Sequence, residues 1–194
     1  MTGQPARFLA VAALALLLGS GGARADFNLN PFNTYYDNIA RAAAENDINK
    51  VRELVTSGTN PNQTDEETHT GLHIAAMKGN LSIAAILIKA KAKLDITDKL
   101  GNTPLHYSAE RNQAEMTKLL LEAGASPDPI NRDGVTPLMM AAARGDLEIV
   151  RALLAKGANP NRTDFTGRDA VGWASDSRRP IVVQTLQRAA AAKR

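Results

Sequence analysis

Cysteine is absent from the 194 residues. A disulfide, a zinc–thiolate site, a cysteine nucleophile and a redox dithiol are therefore all excluded. Aromatic residues are scarce at 4 %, and alanine and leucine dominate the apolar set, a mixture that suits packed helices better than strands. Runs long enough to cross a membrane are missing too. The apolar stretch Phe8 to Leu18 has 11 residues, well short of the roughly 20 a spanning helix needs. No phosphate-cradling glycine loop and no G-x-S-x-G nucleophile turn occurs, which removes the usual signatures of nucleotide hydrolysis and serine hydrolysis.

What is present divides into a short leader and a long patterned remainder. Arg7 supplies a positive start, Phe8 to Leu18 an apolar middle, Gly19-Ser20-Gly21-Gly22 a helix break, and Ala23-Arg24-Ala25 a small-x-small cleavage pattern. Residues 1–25 are thus expected to be a signal peptide cut after Ala25, which places the protein in the periplasm. The formal charge of +3 and pI near 9.3 belong largely to that leader. Without Arg7 and Arg24 there are 21 basic residues against 20 acidic ones, too even a balance to steer the chain onto nucleic acid. No nucleic-acid partner is expected.

Beyond the leader the chain repeats itself. Thr70-Gly71-Leu72-His73, Thr103-Pro104-Leu105-His106 and Thr136-Pro137-Leu138-Met139 start 33 residues apart. The same step backwards and forwards lands on Asp37 and Asp169, which, like threonine, are good helix N-caps. A second apolar face follows in each unit, as in Ile83/Ile86/Leu87 and Met116/Leu119/Leu120, with the i, i+3, i+4 spacing of a helix. Gly58, Gly124 and Gly157 then mark helix ends, and Asn60-Pro61-Asn62, Ser126-Pro127-Asp128 and Asn159-Pro160-Asn161 the turns after them.

These residues closely resemble the ankyrin repeat: Gly101-x-Thr-Pro-Leu-His and Gly134-x-Thr-Pro-Leu, each followed by Leu-Leu-x-x-Gly-Ala (Leu120 to Ala125, Leu153 to Ala158). The resemblance implies an all-α solenoid of about five stacked helix-loop-helix units at 37–69, 70–102, 103–135, 136–168 and 169–190. An aromatic segment (26–36) would precede it and a basic tail (191–194) follow. In the second unit, taken with the loop that leads into it, three positions depart from the pattern: Thr68 stands for the loop glycine, Gly71 for the proline, and Lys91 for the glycine ending a second helix. A lysine there must take positive φ, which glycine adopts freely, so softness is expected near 88–95. Arg178 and Arg179 similarly replace the glycine between the last two helices and its neighbour.

The resemblance also implies a concave contact face made of loop tips and the ends of first helices. By register the loop set is Glu66, Glu67, His69, Lys99, Leu100, Asn102, Arg132, Asp133, Val135, Phe165, Thr166 and Arg168. The helix set is Met77, Lys78, Glu110, Arg111, Ala143 and Arg144. Lys78, Arg111 and Arg144 lie 33 apart and form either a basic ladder for an acidic patch on a protein partner or a solvated row. Phe27, Phe32, Tyr35 and Tyr36 crowd the segment before the first unit; they can dock a partner or cover the open end of the stack. Trp173 is expected to pack or cap rather than to stack on a ligand.

His69 and His73 are spaced i, i+4, a spacing that suits a metal, but the resemblance gives His73 and His106 a structural role tying loops together. No carboxylate completes a metal site of known spacing, and Asp65-Glu66-Glu67 lacks the alternating ligands of a calcium loop. The sequence therefore points to a monomeric protein-binding module with no catalytic residue, metal, cofactor or small-molecule substrate. Two alternatives stay open: a structural accessory to an envelope enzyme complex, and an unrecognised hydrolase.

Overall fold

The computed structural model describes residues 38–192. The leader, the Phe27–Tyr36 segment, Asp37, Lys193 and Arg194 lie outside the described residues. Ten helices follow one another in five pairs among the described residues: α1 (Ile39–Ala44) with α2 (Ile48–Thr56), α3 (Gly71–Lys78) with α4 (Leu81–Lys89), and α5 (Pro104–Glu110) with α6 (Ala114–Glu122). The last two pairs are α7 (Pro137–Arg144) with α8 (Leu147–Ala155), and α9 (Ala170–Asp176) with α10 (Pro180–Ala192).

First helices stack on first helices, α1 on α3 through to α7 on α9, and second helices stack on second helices from α2 to α10. Two layers result, and one apolar core runs between them. It takes one leucine or isoleucine from the start of each of the first four inner helices (Ile39, Leu72, Leu105, Leu138), Ile83, Met116 and Ile149 at one register position of the outer ones, and Val51 one place further along the first outer helix, all essentially inaccessible. Helices of six to nine residues are marginal alone, so this shared burial holds them.

Inner helices start at the expected threonines and aspartate with one exception. Thr70, Thr136 and Asp169 accept backbone N–H groups from the first turn. In the first unit the cap is Asn38 rather than the expected Asp37, and α1 begins one residue late in the register. The Asn38 carboxamide sits where other units have Gly71, Pro104 or Pro137. Its oxygen accepts the Ala40 N–H at 2.7 Å and its nitrogen donates to the Thr64 carbonyl. A side chain able to cap competes with the helix for its own backbone, so the helix starts after it.

Three sets of left-handed positions recur with the period. Asn46, Gly79, Asn112, Gly145 and Arg178 join the helices of each pair; Gly58, Lys91, Gly124 and Gly157 end second helices; Thr68, Gly101, Gly134 and Gly167 turn the loops. Lys91, Thr68 and Arg178 therefore carry φ of +62°, +64° and +56°, as their replacement of glycine implied. A further tie repeats on the outer side. The side chains of Asn62, Asp95 and Asp128 accept the backbone N–H of Lys93, Ser126 and Asn159, each 31 residues on in the next unit.

Candidate protein-binding face

Each loop between units is a tight hairpin built round one Asp or Asn. Asp65, Asp98, Asn131 and Asp164 accept, through Oδ1, the backbone N–H groups two and four residues later. Their main chains close the same hairpins, as in Asp98 N–H to the Asn102 carbonyl and Asp164 N–H to the Arg168 carbonyl. This is the Asx-turn chemistry of short polar side chains. The sequence reading missed this hairpin role, weighing Asp65 only as a calcium ligand, although each of the four stands three positions before a left-handed turn residue.

Neighbouring hairpins are then joined. His73 and His106 each accept the backbone N–H of their own N-cap threonine at Nδ1, 3.1 Å away, which leaves Nε2–H to donate to the next loop. It does so to the Asn102 carbonyl (3.1 Å) and the Val135 carbonyl (3.0 Å). Both rings are inaccessible. Burial lowers both imidazoles, His106 to about 4, against the opposing pull of the carbonyl each one meets. Protonation would also turn Nδ1 into a donor facing a donor. At the third junction Met139 stands in the histidine's place, and the Thr136 N–H meets its sulfur at 3.4 Å.

Two loop aspartates hold an aromatic side chain from the following inner helix. The Tyr107 hydroxyl donates to Asp98, and the Trp173 indole N–H donates to Asp164 at 2.9 Å. Burial would raise the Asp98 carboxyl, but the Tyr107 hydroxyl and the Asn102 and Leu100 N–H groups outweigh it and hold it below its usual range. Asp164 is likewise held low, its burial outweighed by Thr166, Arg168 and Trp173. Burial, with Asp98 beside it, pushes Tyr107 up to about 12. His69 lies between the carboxylates of the first two loops, with Nδ1 3.2 Å from Asp65 and Nε2 3.5 Å from Asp98. Trp173 is half-buried, with the Arg168 guanidinium 4.7 Å above its ring.

Of the residues assigned to the contact face, Glu66, Glu67, Lys99, Leu100, Arg132, Asp133, Phe165, Thr166 and Arg168 are exposed at loop tips. Lys78, Arg111 and Arg144 are exposed at the ends of inner helices, and Met77, Glu110 and Ala143 are half-buried beside them. Phe165 and Leu100 stand out, 73 % and 62 % accessible despite being apolar. Two assigned residues do not face outward. Asn102 and Val135 are buried, because this register position turns into the neighbouring loop. The Asn102 side chain accepts from Asn131, and both main-chain carbonyls take the histidines.

The match to known families agrees with this architecture. A model described as "Ankyrin repeats (3 copies)" matches residues 39–131, and another, "Ankyrin repeats (many copies)", matches residues 120–171. Among curated proteins, the uveal autoantigen with coiled-coil domains and ankyrin repeats is similar in two species. The human protein is 37 % identical over 71 residues, 36 % of this chain and 5 % of its own length. The Bos taurus protein is 41 % identical over 59 residues, 29 % of this chain and 4 % of its own. The serine/threonine-protein kinase 12 of Arabidopsis thaliana is 38 % identical over 53 residues, 27 % of this chain and 12 % of its own. The chain thus spans only a small fraction of the curated relatives it matches. Ankyrin repeats generally mediate protein–protein contacts and are typically non-catalytic. With helix pairs at one period, loop ties at the same period and family matches that together run from residue 39 to 171, this chain belongs to the ankyrin-repeat family as an all-α solenoid.

Proposed function

We propose that this chain is a non-catalytic module of the periplasm that holds a periplasmic or membrane-attached protein against its loop tips and inner helices. The observation that carries the reading is the row Lys78, Arg111, Arg144, three cations at one register position, all exposed on consecutive inner helices. Arg111 has only Glu110, 4.0 Å away, as an ion-pair partner, and Lys78 and Arg144 have none among the described residues. Charge fixed on a rigid frame and compensated only at the 4.0 Å Arg111–Glu110 pair favours a complementary acidic surface, and acts on association rate and specificity. Phe165 and Leu100 add apolar contact at the loop tips. Export rests on the leader's charge, apolar run and cleavage pattern, and the chain acts as a monomer.

Replacing Lys78, Arg111 and Arg144 together by glutamate should sharply weaken cross-linked capture of the partner in intact envelopes while leaving the helical signal and melting temperature unchanged. Undiminished capture by the triple variant would remove the ladder from the argument. Fractionation and mass spectrometry of the purified protein should place it in the periplasm with Asp26 as its first residue. An intact leader on cytoplasmic protein would refute the export reading.

A further inference from the structure

The inner helices carry two parallel rows. Ile74, Tyr107, Met140 and Trp173 recur at one register position; Ile74 and Tyr107, in the second and third units, are buried, and Met140 and Trp173, in the fourth and fifth, are half-buried. Lys78, Arg111 and Arg144 stand one turn further along the same helices, at i+4 from the first three, on the same side. The face therefore pairs an apolar row, accessible mainly at Met140 and Trp173, with a basic rim, both with one residue per unit. The rim has ends: its register starts at Glu45, held by Arg41 at 2.9 Å, and finishes at the neutral Ser177. Only three positions attract an anion, and the first repels one.

We infer that this double row is a track for an acidic polypeptide segment in the polyproline-II conformation, with a carboxylate at every third residue. The inference rests on the protein-binding reading of this face and adds the chemistry and spacing of the partner. Stacked helices lie about 8–10 Å apart. A polyproline-II chain repeats every three residues and advances about 9.3 Å per repeat, at ~3.1 Å per residue. Each turn would thus bring one carboxylate to one cation, and three turns would use the whole rim. A β-strand returns to the same side after two residues, about 6.7 Å, or four, about 13 Å, and loses step with the row. The two residues between acids face the apolar row, open at Met140 and Trp173, and solvent, so proline or alanine fits there. Such a segment has little chain entropy to lose on docking.

Fluorescence anisotropy with the full chain tests the spacing. The probes are fluorescein-labelled proline/alanine peptides bearing three glutamates, placed at every third or at every second position, so that length and charge are equal. The every-third peptide should bind roughly fivefold to tenfold more tightly, and more so at low ionic strength. Arg111→Gln, at the centre of the row, should weaken it several-fold, and the combined Lys78→Gln, Arg111→Gln, Arg144→Gln variant should abolish the preference. These side chains are exposed, and a melting curve checks that each variant stays folded. Equal affinities for the two peptides, or a preference that survives in the triple variant, would overturn the spacing. Tighter binding of an oligothymidylate of matched charge would assign the row to a nucleic-acid backbone instead. If the peptides fail while cross-linked capture still depends on the ladder, the spacing falls and the protein-binding reading stands.

Discussion

The three junctions between successive loops are built differently. The middle junction, between the Asp98 and Asn131 hairpins, has both kinds of tie: the His106 bond to the Val135 carbonyl and a backbone bond from Arg132 N–H to the Leu100 carbonyl at 3.0 Å. The junction before it has the His73 bond but no equivalent backbone bond among the described residues; a Lys99–Glu67 ion pair at 3.4 Å spans it instead. The junction after it has the backbone bond, Phe165 N–H to the Asp133 carbonyl at 3.1 Å, but Met139 in place of histidine. One fold thus tolerates either tie alone. The backbone tie needs hairpins close together: a Cβ on Gly101 would lie 2.8 Å from Arg132 N, and one on Gly134 would lie 2.9 Å from Phe165 N. Thr68 holds the corresponding place in the first hairpin and carries a Cβ, and that junction is the one without the backbone bond among the described residues.

Breaking the doubly tied junction should have the largest effect. His106→Leu removes the donor to Val135 and the acceptor for the Thr103 N–H, both buried, and should lower stability at pH 7.5 by about 1–3 kcal/mol. It should also flatten the acid limb of the stability profile. The folded-state value of His106 is depressed, to about 4 against 6.5 unfolded. Its contribution is therefore complete above pH 6.5, declines as pH falls because the unfolded chain binds the proton first, and levels off below about 4. The depression corresponds to something on the order of 3 kcal/mol over that window. Denaturant titrations between pH 7.5 and 4 check both statements. An unchanged slope in His106→Leu would mean that other groups carry the acid sensitivity; His73, lowered in the same direction, leaves a residual slope.

Thr68→Gly sharpens the comparison from the other side. A β-branched residue at φ +64° is strained by roughly 1–2 kcal/mol, and the Thr68 hydroxyl is buried without a hydrogen-bond partner. Glycine relieves both, less its greater freedom in the unfolded chain of about 0.5–1 kcal/mol. A net gain of about 1 kcal/mol is expected in denaturant titration. If the missing Cβ lets the hairpins close, the Lys99 amide should also gain protection from hydrogen exchange. Greater stability without that protection would mean that strain relief alone accounts for it.

Much of this difference was legible before any geometry. The substitutions at Thr68, Lys91 and Arg178 stand out in the sequence because the repeat assigns glycine to each, and all three adopt the left-handed conformation. The histidine ties were implied by resemblance and lie where it put them. The hairpin role of the loop aspartates was not read, nor was the burial of Asn102 and Val135, because a hairpin side chain's direction depends on how closely the next hairpin approaches. That distance is set between units, and a period along the chain does not encode it. The cap at Asn38 escaped because register pointed one residue earlier, and a period does not tell which polar residue at a helix start turns its side chain onto the backbone. The basic row was visible as a spacing; its exposure and its place beside the Ile74, Tyr107, Met140, Trp173 row required the stacked helices.

The smallest effect is expected from completing the third junction. Met139→His would place a ring where His106 sits one unit earlier, below the Thr136 N–H, which now meets only a thioether at 3.4 Å. The acceptor would be the Arg168 carbonyl, which takes the Asp164 N–H at 2.9 Å just as the Val135 carbonyl takes the Asn131 N–H at 3.1 Å while also accepting from His106. A carbonyl has two lone pairs, so the second bond displaces nothing. Against it stand the loss of an essentially inaccessible methionine's packing and the burial of a new polar ring. A net change between zero and about 1 kcal/mol in favour of the variant is expected at neutral pH. The more decisive measurement is again the acid limb. A histidine seated as its two counterparts are must resist protonation as they do, so stability between pH 6.5 and 4 should fall more steeply than in the parent chain. An unchanged limb would show that the third junction leaves the new ring wet, and that its backbone tie holds the two hairpins at a distance the histidine cannot span.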